Sequence, residues 1–174
     1  MVSARFLLRA ARIALAALIA IACIGCGETE PTEVVVVVTG DFAVPDALDR
    51  VLIVVTPPEG PPQTAEADLT TGPLPRTLGI YNPDGPLGPY LVEAVGQRGG
   101  VNVVRRRARF NFVRDTSLEV ELPLLVECSG VTCLCNDTFC STCGEGGVCE
   151  NASIKASAFD GTGGETEADA GVDL

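Results

Sequence analysis

An all-β fold, an immunoglobulin-like antiparallel β-sandwich, is predicted for this chain by three observations. β-Branched and aliphatic runs of strand length recur from residue 33 to residue 127, clusters of proline and glycine punctuate them at regular spacing, and no stretch between them carries a sustained helical period. A small barrel is the alternative reading of the same pattern.

EVVVVVT (33–39) and DRVLIVVT (49–56) are continuous β-branched runs, the pattern of strands buried on both faces. Between them, PDALD (45–49) has room for one helical turn. PPEGPP (57–62) is a loop, because proline lacks the amide hydrogen that a ladder needs. AEADL (65–69) and RTLGIY (76–81) are weaker strands separated by TTGPLP, and NPDGPLGP (82–89) is a dense turn signal. YLVEAVG (90–96) resumes the strand pattern before a QRGG turn.

In VNVVRRRARFNF (101–112), alternation places Val104, Ala108, Phe110 and Phe112 on one face and Arg105, Arg107 and Arg109 on the other. In SLEVELPLLVE (117–127), Leu118, Val120, Leu122, Leu124 and Val126 share a face opposite Glu119 and Glu121. A turn at RDTS (114–117) is expected to join the two strands as a hairpin, with Arg109 about opposite Glu121 and Asn111 opposite Glu119.

The flanks of this β-domain differ in texture. MVSARFLLRAAR carries Arg5, Arg9 and Arg12 without an acid, and IALAALIAIACIGC follows without a charge. A basic start, a short apolar stretch and small residues before a cysteine describe a lipoprotein signal peptide over residues 1–22, too short for a comfortable membrane span. Two cysteines compete for the lipid. Cys23 follows Ala20-Ile21-Ala22, which is lipobox-like, whereas choosing Cys26 removes Cys23 with the signal and leaves an even number of thiols to pair. Residues 23–32 read as a polar tether.

Loss of residues 1–22 takes three arginines and leaves nine basic against 23 acidic side chains, a net charge of −14. Such a surface repels nucleic acid, which is excluded as a partner. At the other end, residues 150–174 are small, acidic and glycine-rich, and are expected to form a disordered tail.

Residues 128–149 contain Cys128, Cys133, Cys135, Cys140, Cys143 and Cys149. Structural zinc favours two CxxC-type pairs a dozen or more residues apart, often with histidine; here only Cys140 and Cys143 form such a pair, and histidine is absent. A thioredoxin-like role for CSTC needs a strand before it and a helix after it, and neither is signalled. Disulfides fit best: the thiol count is even, the signal directs export to an oxidising compartment, and the segment is too short to fold on burial alone. Fifteen pairings are open, and Cys133 with Cys135 is disfavoured because neighbouring side chains on extended backbone diverge. A β-domain over 33–127 is expected to fold without this module, having no cysteine of its own.

Catalytic chemistry has little to draw on. Histidine-based nucleophile activation has no base, the glycine stretches GEGG and GTGG lack the context of a phosphate loop, and the carboxylates are scattered. No enzyme activity, cofactor or metal is expected. Arg105, Arg107 and Arg109 are a candidate anion-binding stripe, weighed against a solvent face that pairs with Glu119 and Glu121.

The lipobox-like cysteine, VVVVVTGDFAVPDALDRVLIVV, YLVEAVGQRGGVNVVRRRARFNF and the following CSGVTCLC together resemble envelope lipoproteins of Gram-negative soil bacteria in which a β-sandwich precedes a cysteine-rich tail. The resemblance covers about residues 13–149 and departs from the usual short tail by extra cysteines and an acidic extension. It implies a lipid-anchored place in the cell envelope, on the outer membrane or a periplasmic face, and supplies no activity. The expected function is therefore non-catalytic display of the sandwich for recognition or a structural role. Its partners are the membrane, through the N-terminal lipid, and a protein or glycan at the envelope. Two alternatives are a protease inhibitor presenting the loop Asn136 to Phe139, and a carbohydrate-binding module, which the absence of tryptophan weakens.

Overall fold

A computed structural model of the chain describes residues 30–136, 138–154 and 156–159, together with the backbone of Val172 and Asp173. The expected signal peptide, Cys23 and Cys26 lie outside the described residues.

Seven strands build the sandwich: β1 (Glu33–Gly40), β2 (Arg50–Thr56), β3 (Gln63–Asp68), β4 (Arg76–Tyr81), β5 (Tyr90–Arg98), β6 (Val101–Phe110) and β7 (Ser117–Leu124). Four short strands follow: β8 (Ser141–Cys143), β9 (Cys149–Asn151), β10 (Ser157–Ala158) and β11 (Val172–Asp173). One sheet has the order β10-β7-β1-β4-β11, the other β3-β2-β5-β6, and β8 pairs with β9 in a separate ribbon. Pairing is antiparallel throughout the second sheet, whereas β1 runs parallel to β7 and β4 parallel to β11.

The core is the meeting of the two inner faces. Val34, Val36, Val38, Leu78, Ile80, Leu118, Val120, Leu122 and Leu124 of the first sheet oppose Val51, Ile53, Val55, Val92, Ala94, Val104, Ala108 and Phe110 of the second. At one end Tyr90, Phe110 and Phe112 stack and meet edge-on, with ring centroids 4.8 to 5.8 Å apart. The QRGG turn is a two-residue connection: Arg98 faces Val101, and Gly99 and Gly100 take φ of 56° and 80°, the positive values that match strand twist in such hairpins.

Three expectations are corrected. β2 is not buried on both faces: Val51, Ile53 and Val55 are buried while Leu52 and Val54 are half-buried. β1 comes closer to the expectation, with Val37 on its outer face buried and Val35 half-buried.

The hairpin between β6 and β7 does not form. β6 lies beside β5, while β7 crosses to the other sheet beside β1, with Ser117 facing Glu33 and Leu124 facing Gly40. Arg109 therefore faces Leu91, and Glu121 faces Val37 and accepts a 3.0 Å hydrogen bond from Thr39 Oγ1. Phe112 continues the inward alternation of β6 past the strand end and packs against Tyr90 and Phe110. Asp115, at a left-handed φ of 53°, then donates its amide to Thr32 Oγ1 at 2.9 Å and fixes the crossing beside the start of β1.

The third correction concerns the first part of the expected tail, residues 150–159. Glu150 and Asn151 belong to β9, Ala152 is buried, and Ser157 and Ala158 pair with Glu119 and Leu118 along the edge of β7. Ile154 and Ala156 add apolar contacts to the core, which supplies the burial that composition alone did not suggest. The backbone of Val172–Asp173 lies beside Ile80 and Tyr81; the rest of the expected tail beyond Phe159 is outside the described residues.

Candidate recognition surface on the cysteine module

Three disulfides hold the module: Cys128–Cys143, Cys133–Cys149 and Cys135–Cys140. With all six thiols paired, none is left as a thiolate ligand. Cys128, Cys133 and Cys143 are buried members of the same apolar cluster as Val104 and Leu124, so the module shares the core of the sandwich.

Its placement follows from an unsatisfied edge. β6 is the last strand of its sheet, and its outward backbone groups need partners. The Val103 carbonyl accepts from Gly130 N at 3.0 Å, Arg107 N donates to Thr142 Oγ1 at 2.8 Å, Arg109 N donates to the Ala152 carbonyl at 2.7 Å, and the Arg109 carbonyl accepts from Ile154 N at 3.1 Å. The segment from 130 to 154 thus runs along β6 and closes it.

The arginines fall into separate roles. Arg107 is nearly enclosed: its Nε donates to Glu93 Oε2 at 2.5 Å and its Nη1 to the Cys133 carbonyl at 3.1 Å. Arg109 Nη2 donates to the Asn136 carbonyl at 3.1 Å. Arg105 lies 3.4 Å from Glu93 Oε1, with 41% of its side chain exposed. The candidate stripe is therefore brought together on one face, but two of its three guanidiniums are spent on holding the module, and neither Glu119 nor Glu121 is its partner.

Two features were missed in the sequence. Arg106 shares the parity of Val104 and Ala108, so it stands at a core-face position. It donates to the Cys143 carbonyl and, at 2.8 Å, to Glu150 Oε1. A charged residue inside an otherwise apolar alternation was the available sign that this end of the face is covered by polar backbone. Glu93 was the other omission; it is the one carboxylate shared by Arg105 and Arg107, across the β5–β6 pair.

The exposed end of the module is a small braced turn. Asn136 Oδ1 accepts from Thr138 N at 3.0 Å, Thr138 Oγ1 at 2.9 Å and Phe139 N at 2.8 Å, while Asn136 N donates to the Phe139 carbonyl at 2.7 Å. The Cys135–Cys140 bridge closes its base. On either side of that bridge, Leu134 is 76% and Phe139 53% exposed. Large apolar side chains held out on a fixed turn carry little ordering cost into a complex. A comparison with protein-family models, curated proteins and solved structures finds no match.

Proposed function

We propose that the protein is a non-catalytic, lipid-anchored envelope protein whose sandwich presents a rigid apolar knob, Leu134 with Phe139, to a protein partner. The observation that carries this reading is the braced turn: hydrogen bonds within Asn136–Phe139, a disulfide at its base and a guanidinium clamp from Arg109 hold two exposed apolar side chains in place. Anchoring is supported by the signal-like N-terminus with its cysteines and by the disulfides, which persist outside reducing compartments. Absence of a catalytic role is supported by the lack of histidine as a general base.

The recognition reading is preferred over protease inhibition because Asn136–Phe139 is a closed turn, whereas a substrate-like loop lies extended in a cleft. It is preferred over glycan binding because tryptophan is absent and Tyr90 is buried in the aromatic cluster, which leaves Tyr81 as the one exposed tyrosine.

The test has two parts. Inhibiting the lipoprotein signal peptidase should accumulate the unprocessed chain, and mass spectrometry should find a diacylglyceryl group on Cys23 or Cys26. A photo-crosslinking amino acid at position 139 should trap one defined protein partner in intact cells, and the same probe at the exposed Val101 should not. Equal crosslinking at both positions, or a mature chain without lipid, would overturn the corresponding half.

A further inference from the structure

Beside β6, a cleft of about 300 Å³ opens between the strand and residues 130–133, and none of the residues lining it is acidic. The geometry points to this cleft as a binding site for a small organic monocarboxylate with a short apolar body, held through Arg105.

Arg105 and Arg107 line the cleft, and Glu93 is the single carboxylate that both of them contact. Arg107 is committed twice, to Glu93 at 2.5 Å and to the Cys133 carbonyl at 3.1 Å. Arg105 holds Glu93 only at 3.4 Å and is 41% exposed, and so screened a contact yields its guanidinium at little cost. One positive charge is left over, in a chain whose net charge is −11.

The rest of the wall suits one carboxylate. Asn102 Oδ1 already accepts from Gln97 Nε2 at 2.8 Å, which leaves the Asn102 amide hydrogens as donors, and the Thr132 hydroxyl lies in the same wall. Val103 and Val131, both half-buried against the core, supply apolar contact for the body of the ligand. The bond from Gly130 N to the Val103 carbonyl and the Cys133–Cys149 bridge hold the two sides, so the cleft exists before any ligand arrives. A doubly charged phosphate would call for more than the one available guanidinium. The site is separate from the Leu134–Phe139 knob and does not depend on the membrane anchor.

The experiment is amide-resolved NMR on the exported, natively processed protein in detergent micelles. Benzoate and hexanoate are titrated against benzamide and hexanamide, at ionic strength matched with sodium chloride. The carboxylates should give saturable shifts at residues 102–105 and 130–132, and the neutral amides should not. Arg105→Gln should weaken binding by about tenfold or more, as loss of one charge-assisted contact does. Arg50→Gln, which removes an exposed arginine paired with Glu66, should leave it unchanged, and an otherwise identical spectrum shows that each variant is folded. No saturable shift at these residues, equal shifts from the amides or chloride, or binding indifferent to Arg105→Gln would each overturn the proposal. Loss of the lipid or of the crosslinked partner would leave this outcome unaffected.

Discussion

Arg106 occupies a core-face position between Val104 and Ala108, yet its guanidinium binds the Cys143 carbonyl and Glu150, with the side chain 13% exposed. Removing it leaves a carbonyl and a carboxylate without their charged donor. Arg106→Ala is expected to cost about 1–3 kcal/mol, and Arg106→Met less, because methionine keeps the packing of the arginine stem. Urea midpoints of the two variants test that order. At the same scale, burial among Phe110 and Phe112 pushes the Tyr90 phenol above its ordinary 10.0. The folded state then holds the proton more tightly than the unfolded chain. Stability is intact below that ordinary value and is lost as pH rises from it toward the folded one. Tyr90→Phe should flatten this alkaline loss, read as denaturation midpoints between about pH 9 and pH 11; an unchanged slope would mean that other groups carry it.

Among elements, β6 depends on residues that come after it in the chain. Gly130, Thr142, Ala152 and Ile154 satisfy its outer edge, and Cys128, Cys133 and Cys143 enter its core. A chain ending at Glu127 is therefore expected to lose the cooperative melt of the full protein and to aggregate through the bared edge, contrary to the independence expected from sequence. A sharp melt at the native temperature in that truncation would show the module to be dispensable. The disulfides should also rank. Paired serine substitutions at Cys128 and Cys143 open a bridge of separation 15 inside the core, at an expected cost of about 2–5 kcal/mol. The same change at Cys135 and Cys140, which spans 5 residues at the exposed turn, should cost less and loosen the Leu134–Phe139 knob.

For the whole molecule, three bridges and a shared core imply a protein that resists chelators and yields to reductants. Its intact mass should lie about six hydrogens below the reduced value, two per bridge. Alkylation of the module cysteines should need both reductant and denaturant, since Cys128, Cys133, Cys140 and Cys143 are buried. Six freely alkylating thiols in native protein would contradict the paired state. The chain, on reaching Thr32, enters β1 at the end where the Asn82 amide binds the Thr32 carbonyl and Asp115 binds its hydroxyl. Under the anchored reading, that end of the sandwich lies toward the membrane.

The seven main strands and their turns were legible in sequence because strand signals are local: β-branched runs, period-two alternation and proline or glycine breaks act within a few residues. The even cysteine count likewise foretold disulfides. Which strands become neighbours was not local information. The inward faces of β6 and β7 have the same alternation whether they lie side by side or oppose each other across a core, and long-range pairing, β6 with β5 and β7 with β1, decided for the second. The same limit hid the fate of the arginines. Their parity placed Arg105, Arg107 and Arg109 on one face, but their partners, Glu93 and the carbonyls of Cys133 and Asn136, lie 12 to 27 residues away. Pairing at such separations is set by how the whole chain closes, since many acids and carbonyls compete for each guanidinium until the core selects one arrangement.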